Sequence, residues 1–272
     1  MKEKTCIALF SGGLDSMIAV KLLEKQGIKV IPVNFNIGVF FKKYIRENGE
    51  LKYNKPLPAG MQVMVVDITK DFLHMLKNPA HGYGKNMNPC IDCKILMMRK
   101  AKEMMKELNA GFVITGEVLG QRPMTQNSHS INMIKDESGL EGYLLRPLSA
   151  KLMEPTEPEK LGWVDREQLL AIEGRNRKEQ LSLAVEFGLT DVMETPGGGC
   201  LLTDEHYAAR LNDLIQHNKE KEITERDMFL LSAGRHFRKN GIKFIIGRHS
   251  EDNEKLEQKR RRYDIRGNGY SG

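Results

Sequence analysis

Residues 7–16 read Ile7-Ala8-Leu9-Phe10-Ser11-Gly12-Gly13-Leu14-Asp15-Ser16, and their reading decides the architecture. A short apolar run stops at a polar glycine turn. Met17-Ile18-Ala19-Val20-Lys21-Leu22-Leu23 then resumes with helical spacing. A buried strand that ends in Ser-Gly-Gly and continues as a helix aims several backbone N–H groups at one point, where the positive end of the helix dipole also falls. Ser11, Gly12, Gly13 and Ser16 thus form a cup suited to a phosphate chain. The glycines let the backbone come close, and the two hydroxyls add donors. An ordinary helix cap is the plainer reading, but caps seldom need two consecutive glycines. No G-x-x-x-x-G-K-[ST] occurs anywhere in the chain, so the lysine-bearing phosphate loop is excluded.

Outward from this turn, apolar runs and amphipathic stretches alternate as in a parallel α/β sheet. Strands are expected at 5–10, 28–35 and 62–67, with a helix at 15–26 that stops at Gly27. Residues 36–60, which carry Lys42, Lys43, Arg46, Lys52 and Lys55 with Tyr44 and Tyr53, read as a mobile excursion. A helix near 70–77 leads to a Gly/Asn/Pro-rich stretch at 78–89, then to a helix from Ile91 to Leu108. Residues 111–116 read as a strand whose carboxyl end carries Thr115, Gly116 and Glu117, where ligands sit in open α/β sheets. A last short strand is expected at 144–148, with helices at 165–172, 176–187 and 205–217, the last capped by Thr203-Asp204. From Asp227 the pattern changes. Two β-like runs begin at Phe229 and Gly241, around the hairpin signal Lys239-Asn240-Gly241. A boundary near 225 is therefore expected, giving a domain over 1–224 and a small basic, β-rich segment over 225–272, the end of which reads as disordered.

The chain has 272 residues, 40% hydrophobic and 29% charged, the proportions of a globular protein with one large domain. No apolar run approaches ~18 residues and no secretory leader pattern opens the sequence, so a cytoplasmic location without membrane contact is expected. The net charge of +6 conceals an uneven spread. Residues 1–110 hold 18 Lys+Arg against 10 Asp+Glu, residues 111–225 hold 12 against 20, and residues 226–272 hold 12 against 6. Two basic regions suit a polyanion, although solvated lysine faces explain the same charges.

Four cysteines in a reducing compartment are read for metal or sulfur chemistry rather than for disulfides. Cys90 and Cys93 fall at the start of the 91–108 helix, where the dipole is expected to lower thiol pKa. Cys200 follows the glycine turn Gly197-Gly198-Gly199, so three thiols from two helix-start loops can share one face. Cys6 lies within the first strand and reads as a core residue. A closed structural zinc site wants a fourth ligand, for which His81 and His129 are candidates. Gly120-Gln121-Arg122-Pro123-Met124-Thr125-Gln126-Asn127 is rich in hydrogen-bonding groups and suits a nucleotide or a base, or a plain surface loop. Arg146, Lys151, Arg175 and Arg177 can reach phosphate, and each reads equally as a solvated charge. The pairs Met97-Met98 and Met104-Met105 read as helix packing. No H-E-x-x-H or C-x-x-C-H spacing occurs.

The hexapeptide Ser11–Ser16 resembles the pyrophosphate loop of the ATP pyrophosphatases, which cut ATP between its α and β phosphates and adenylate an oxygen. With Asn88-Pro89-Cys90-x-x-Cys93, Thr115-Gly116-Glu117 and Gly198-Gly199-Cys200 in that order, the chain is similar over about 5–215 to the tRNA thiolation branch, the 4-thiouridine and 2-thiouridine synthases. The resemblance implies a Rossmann-like, adenine nucleotide α-hydrolase-like sheet. It implies ATP contacts at Ser11, Gly12, Gly13, Leu14, Asp15, Ser16, Asn34, Phe35, Thr115 and Gly116, with Asp15 holding Mg²⁺ or orienting the loop. Cys90, Cys93 and Cys200 would handle sulfur, either as ligands of a [4Fe–4S] cluster or as persulfide carrier and disulfide partner. Expected partners are tRNA and a sulfur donor, a cysteine desulfurase persulfide or sulfide, with a homodimer left open. Residues from Phe244 to Leu256 resemble part of an RNA-binding domain of fibronectin-binding-like proteins, and the RNA-binding domain usual before the catalytic part of bacterial 4-thiouridine synthases has no counterpart here. Two other readings stand beside this one: an ATP-dependent ligase or amidotransferase with structural zinc, and a non-catalytic RNA-binding protein.

Overall fold

A computed structural model describes residues 4–39, 43–192 and 199–258. Five parallel strands form the central sheet: β1 (Thr5–Leu9), β2 (Lys29–Asn36), β5 (Met64–Asp67), β6 (Phe112–Thr115) and β7 (Leu144–Leu145). Their order across the sheet is β5-β2-β1-β6-β7. Chain order runs outward from β1 to one side and then crosses to β6 on the other, so the switch point lies between β1 and β6, at their carboxyl ends. Cys6 pairs with Val30 on one flank and Phe112 on the other.

Both faces of the sheet are covered, which the strands' continuous apolar character requires. Successive residues of β1 point to opposite faces. Ile7 joins a cluster with Val33, Phe72, Met98, Val113, Ile134 and Leu211. This layer is built by α2 (Thr69–Lys77), α3 (Cys90–Glu107), α4 (Ser128–Ser138) and α7 (Glu205–His217). Cys6, Ala8 and Phe10 face the other layer with Ile18, Leu23, Phe112, Ile114 and Ala184, packed under α1 (Leu14–Lys25) and α6 (Lys178–Glu186). Each fully buried large side chain, such as Phe72 or Met98, is worth roughly 1.5–3 kcal/mol. Cys6 is a core residue, and Met98 is buried with Met97, Met104 and Met105 packed around it.

Three segments differ from the sequence reading. Residues 165–172 are not a helix: a 3-10 turn at Arg166–Gln168 gives way to extended chain. There Leu170 and Ile172 donate to the carbonyls of Pro147 and Leu148, and Lys151 donates to that of Leu170. Backbone pairing across to 147–151 outcompetes local helix. Second, within the stretch 36–60 the described residues include two strands that the sequence reading did not assign, β3 (Tyr44–Glu47) and β4 (Glu50–Tyr53), paired as an antiparallel hairpin. Its turn is Asn48-Gly49, both with positive φ, as a two-residue hairpin turn demands. Third, the β-like run from Phe229 begins as a helix, α8 (Glu225–Leu231), set by a Thr224/Asp227 capping box. Its Met228 and Leu231 join the cluster of Ile7 and Leu211. The strand pair itself, β8 (Arg235–Lys239) with β9 (Ile242–Ile246), turns at Lys239-Asn240-Gly241, and α9 (Ser250–Gln258) follows. Short α5 (Glu157–Lys160) completes the elements. Among the described residues, no helix is long and apolar enough to cross a membrane.

Candidate active site

The glycine cup forms at the switch point. Gly13 is the N-cap of α1 without a side-chain cap bond, and its carbonyl accepts from the Ser16 and Met17 amides and from Ser16 Oγ at 2.7 Å. Ser11 Oγ lies 3.3 Å from both the Gly13 amide and Ser16 Oγ, so the two expected hydroxyls share one turn. Gly12 holds φ +80°, which an L side chain rarely adopts. Gly116 is a glycine for another reason: a Cβ there would stand 2.5 Å from the Asp15 carbonyl carbon and the Ser16 amide nitrogen. The end of β6 therefore presses backbone against backbone on the loop.

Asp15 sits in a polar chain. Gln121 Nε2 donates to its Oδ2 at 2.8 Å, and buried Gln180 on α6 donates to Gln121 Oε1 at 3.4 Å. Its other oxygen, Oδ1, is buried without a hydrogen-bond partner. A carboxylate oxygen left free at a phosphate cup suits a divalent cation, since Mg²⁺ needs only one or two carboxylates beside phosphate oxygens. Asn34 is differently placed. Its amide donates to the Phe10 carbonyl at 2.6 Å and its Oδ1 accepts from Tyr44 Oη at 2.7 Å, so both ends serve the fold. Phe35 is buried in the core beside it.

The β3–β4 hairpin closes over this cup. A Cβ on Gly12 would overlap the Tyr53 hydroxyl, and the Tyr53 ring meets Phe10 edge-on at 6.0 Å. Lys43 Nζ donates to the Ser11 carbonyl at 3.4 Å. Its ammonium also acts on the Cys200 thiol, drawing that pKa down against stronger opposing effects. Lys43 thus lies against the cup by its contact with the Ser11 carbonyl.

The cysteine loops meet as well. Met87 N donates to the Leu202 carbonyl at 3.2 Å and Asn86 Nδ2 to that of Thr203 at 2.8 Å, tying the stretch before Cys90 to the turn after Cys200. Gly198, with the rest of 193–198, lies outside the described residues. All three thiols are partly buried, and each is close enough to shift another's titration. The lowering expected at Cys90 and Cys93 does not occur. Burial pushes Cys93 up to about 12, with Cys200 and Cys90 adding to it, and pushes Cys200 up to about 11. Cys90 is also raised by burial, against Asn88, Lys94 and Arg122. Desolvation of a thiolate outweighs the helix terminus here.

Metal readings fare less well. Among the described residues, no group of three or more His, Cys, Asp and Glu side chains is arranged to hold a metal ion. His81 is occupied: Nε2 meets Glu137 Oε1 at 2.9 Å and Nδ1 meets Asp92 Oδ1 at 3.3 Å. His129 is exposed at the start of α4. Among the described residues, neither histidine joins the three thiols in a group that could hold a zinc ion.

Glu117 and Arg146 are neither surface charges nor free, being 2% and 3% exposed. Arg146 Nε bonds Glu117 Oε2 at 3.0 Å, and Lys94 Nζ pairs with Oε1 at 3.0 Å. Burial opposes the Glu117 charge, but the two cations outweigh it and hold the carboxyl down to about 2. Lys94, one residue after Cys93, was missed because nothing in its local sequence marks a buried pairing. Lys151 pairs with Glu167 at the surface, and Arg177 buries its Nε.

A five-stranded parallel sheet of this order, with a Ser-Gly-Gly-Leu-Asp-Ser cup at the switch point, defines a nucleotide-binding PP-loop domain of the adenine nucleotide α-hydrolase type. Residues 2–152 match the model of the ThiI family, described as thiamine biosynthesis protein (ThiI), and the chain belongs to that family. It is 31% identical over 144 residues to a probable tRNA sulfurtransferase of Thermococcus kodakarensis, covering 52% of this chain and 36% of that protein. A second, from Methanosarcina mazei, is 31% identical over 217 residues, 77% of this chain and 45% of the relative. The tRNA-specific 2-thiouridylase MnmA of Karelsulcia muelleri is 27% identical over 191 residues, 63% of this chain and 47% of its own length. The chain therefore spans between about a third and a half of the length of these relatives.

Proposed function

We propose that this chain catalyses ATP-dependent thiolation of a tRNA uridine, giving 4-thiouridine or 2-thiouridine. The observation that carries this reading is the Ser11–Ser16 cup at the switch point of the sheet, together with the joining of the Cys90 and Cys200 loops through Met87–Leu202 and Asn86–Thr203. One site then serves activation and sulfur transfer. The names of the relatives, sulfurtransferases and a 2-thiouridylase acting on tRNA, supply the substrate class. Residues 1–224 carry the chemistry on this reading, and the basic segment 225–272 adds contact with the RNA.

Oxide is a poor leaving group, so the uridine carbonyl oxygen first attacks the α-phosphorus of ATP and pyrophosphate departs. The amides and hydroxyls of Ser11–Ser16 hold the departing phosphates where charge develops. Mg²⁺, held by Asp15, would neutralise that charge. Sulfur then arrives as sulfide, or as a persulfide on one of the three cysteines. In the persulfide route its terminal sulfur bonds the activated carbon, the C–O bond breaks, and AMP leaves with the former carbonyl oxygen. A second cysteine thiolate attacks the inner sulfur, forming a protein disulfide and releasing the thiocarbonyl; an external thiol reductant restores the pair. Lys43 and Lys94 offset the thiolate charge during these steps.

The test incubates unmodified tRNA with ATP and sulfide or a persulfide donor, and reads pyrophosphate release and thionucleosides by mass spectrometry. Asp15→Asn is expected to lower pyrophosphate release about a hundredfold, in the range of losing one charge-stabilising group. With a persulfide donor, Cys200→Ala is expected to bind ATP normally and make no thiouridine. No pyrophosphate release and no thiouridine with either donor overturns the reading, and persulfide-dependent thiolation that survives in both Cys90→Ala and Cys200→Ala overturns its cysteine route.

A further inference from the structure

The β8–β9 hairpin carries a face that the catalytic site does not use. Its strands pair Arg235 with Ile246, Phe237 with Phe244 and Lys239 with Ile242. These six side chains point outward, because residues alternate across a strand. Phe237 is 52% exposed, Phe244 46%, Ile242 61% and Ile246 58%, an unusual concentration of apolar surface on one small sheet. The inner face fixes which side this is. Arg238 Nε and Nη2 bond Asp213 of α7 at 2.8 and 2.9 Å, and Lys243 Nζ meets the same carboxylate at 2.9 Å. Those ties hold the hairpin to α7 and leave the aromatic side open.

We propose that this outer face is a stacking platform for unpaired RNA nucleotides, with Phe237 and Phe244 taking bases and Arg235 and Lys239 taking the flanking phosphates. Phe237 and Phe244 are directly opposite each other in the register, so both side chains lie on the same exposed face. Both cations are exposed, and among the described residues neither Arg235 nor Lys239 has an acidic partner. Charge decides the occupant. A protein partner or a second copy would have to bury two unpaired cations beside the phenylalanines, which is costly. A polyanion neutralises them and releases counterions. Residues 226–272 reinforce this sign with 12 Lys+Arg against 6 Asp+Glu. Unpaired nucleotides fit better than a duplex, whose bases are already stacked and whose deep groove hides their faces.

The inference deepens the RNA-substrate reading, and its test needs no turnover. Full-length protein is titrated into fluorescein-labelled oligoadenylate RNA and into a duplex RNA of the same length. Phe237→Ala with Phe244→Ala is expected to weaken oligoadenylate binding tenfold or more, at about 1–3 kcal/mol per stacked base, and to change duplex binding less than about twofold. Phe237→Leu with Phe244→Leu keeps the apolar bulk and should behave like the alanine pair, whereas Phe237→Tyr with Phe244→Tyr should bind as wild type. Arg235→Gln with Lys239→Gln should weaken both RNAs and, for the oligoadenylate, flatten the salt dependence by about 1.4 in log–log slope. Unchanged oligoadenylate binding in the leucine pair overturns the platform. So does a wild-type dimer that the leucine pair dissociates, which would assign the face to a second copy. Loss of tRNA thiolation with stacking intact would instead fault the catalytic reading.

Discussion

The phosphate cup and the sulfur corner share one end of the sheet and are built in opposite ways. The cup is made of consecutive residues, Ser11 to Ser16, whose hydroxyls and amides bond one another within a single turn. The corner is gathered from residues 43, 86–94, 117, 146 and 200–203, and its properties come from side chains in each other's fields. A local device tolerates change around it, whereas an assembled one depends on every tie. Perturbing each region should therefore cost different things.

The largest effect is expected where the corner is tied to the sheet. Glu117→Gln leaves Lys94 and Arg146 beside an uncharged amide and should destabilise the protein by about 3–5 kcal/mol in urea unfolding. Glu117 also gives a pH signature. Its carboxyl is held down to about 2, below the ordinary ~4.3, so its contribution is complete above pH ~4.3 and is lost as pH falls towards 2. The acid limb of the stability profile should flatten in the variant. Next comes thiol reactivity: with Cys200 pushed up to about 11, its alkylation by iodoacetamide at pH 8 should run on the order of a hundredfold slower than in the denatured chain. Equal rates would show that burial does not control these thiols. On the cup side, Gly116→Ala should cost about 1–3 kcal/mol and weaken ATP binding, since a backbone contact must open to admit the methyl. Smallest is Tyr44→Phe, about 1 kcal/mol by thermal unfolding, for one hydrogen bond to Asn34.

The same contrast explains what the sequence made legible. The change from strand to helical period around Ser11-Gly12-Gly13 fixed β1, the cup and α1, and the runs at 28–35 and 111–116 fixed their neighbours. Lys239-Asn240-Gly241 marked one hairpin. Asn48-Gly49 carries the same turn chemistry for the other, but the flanking residues Tyr44–Glu47 and Glu50–Tyr53 are mostly polar and give no strong strand signal. Residues 165–172 have helical composition, but their backbone partners lie at 147–151, and only tertiary structure supplies those. The pairing of Arg146 and Lys94 with buried Glu117 is not legible because Glu117 is separated from both along the chain. The thiol pKa values depend on burial, which helix position alone does not reveal.

Gly116 presses on Asp15 and Ser16 across about a hundred residues of intervening chain, so the nucleotide cup is finished only when β6 docks beside β1. Closing so long a loop comes late and slowly in folding. A nascent chain still short of β6 has the motif without the pocket. ATP affinity is accordingly a gauge of completed topology, and a fragment cut before residue 112 would be blind to the nucleotide however faithfully it kept its glycines.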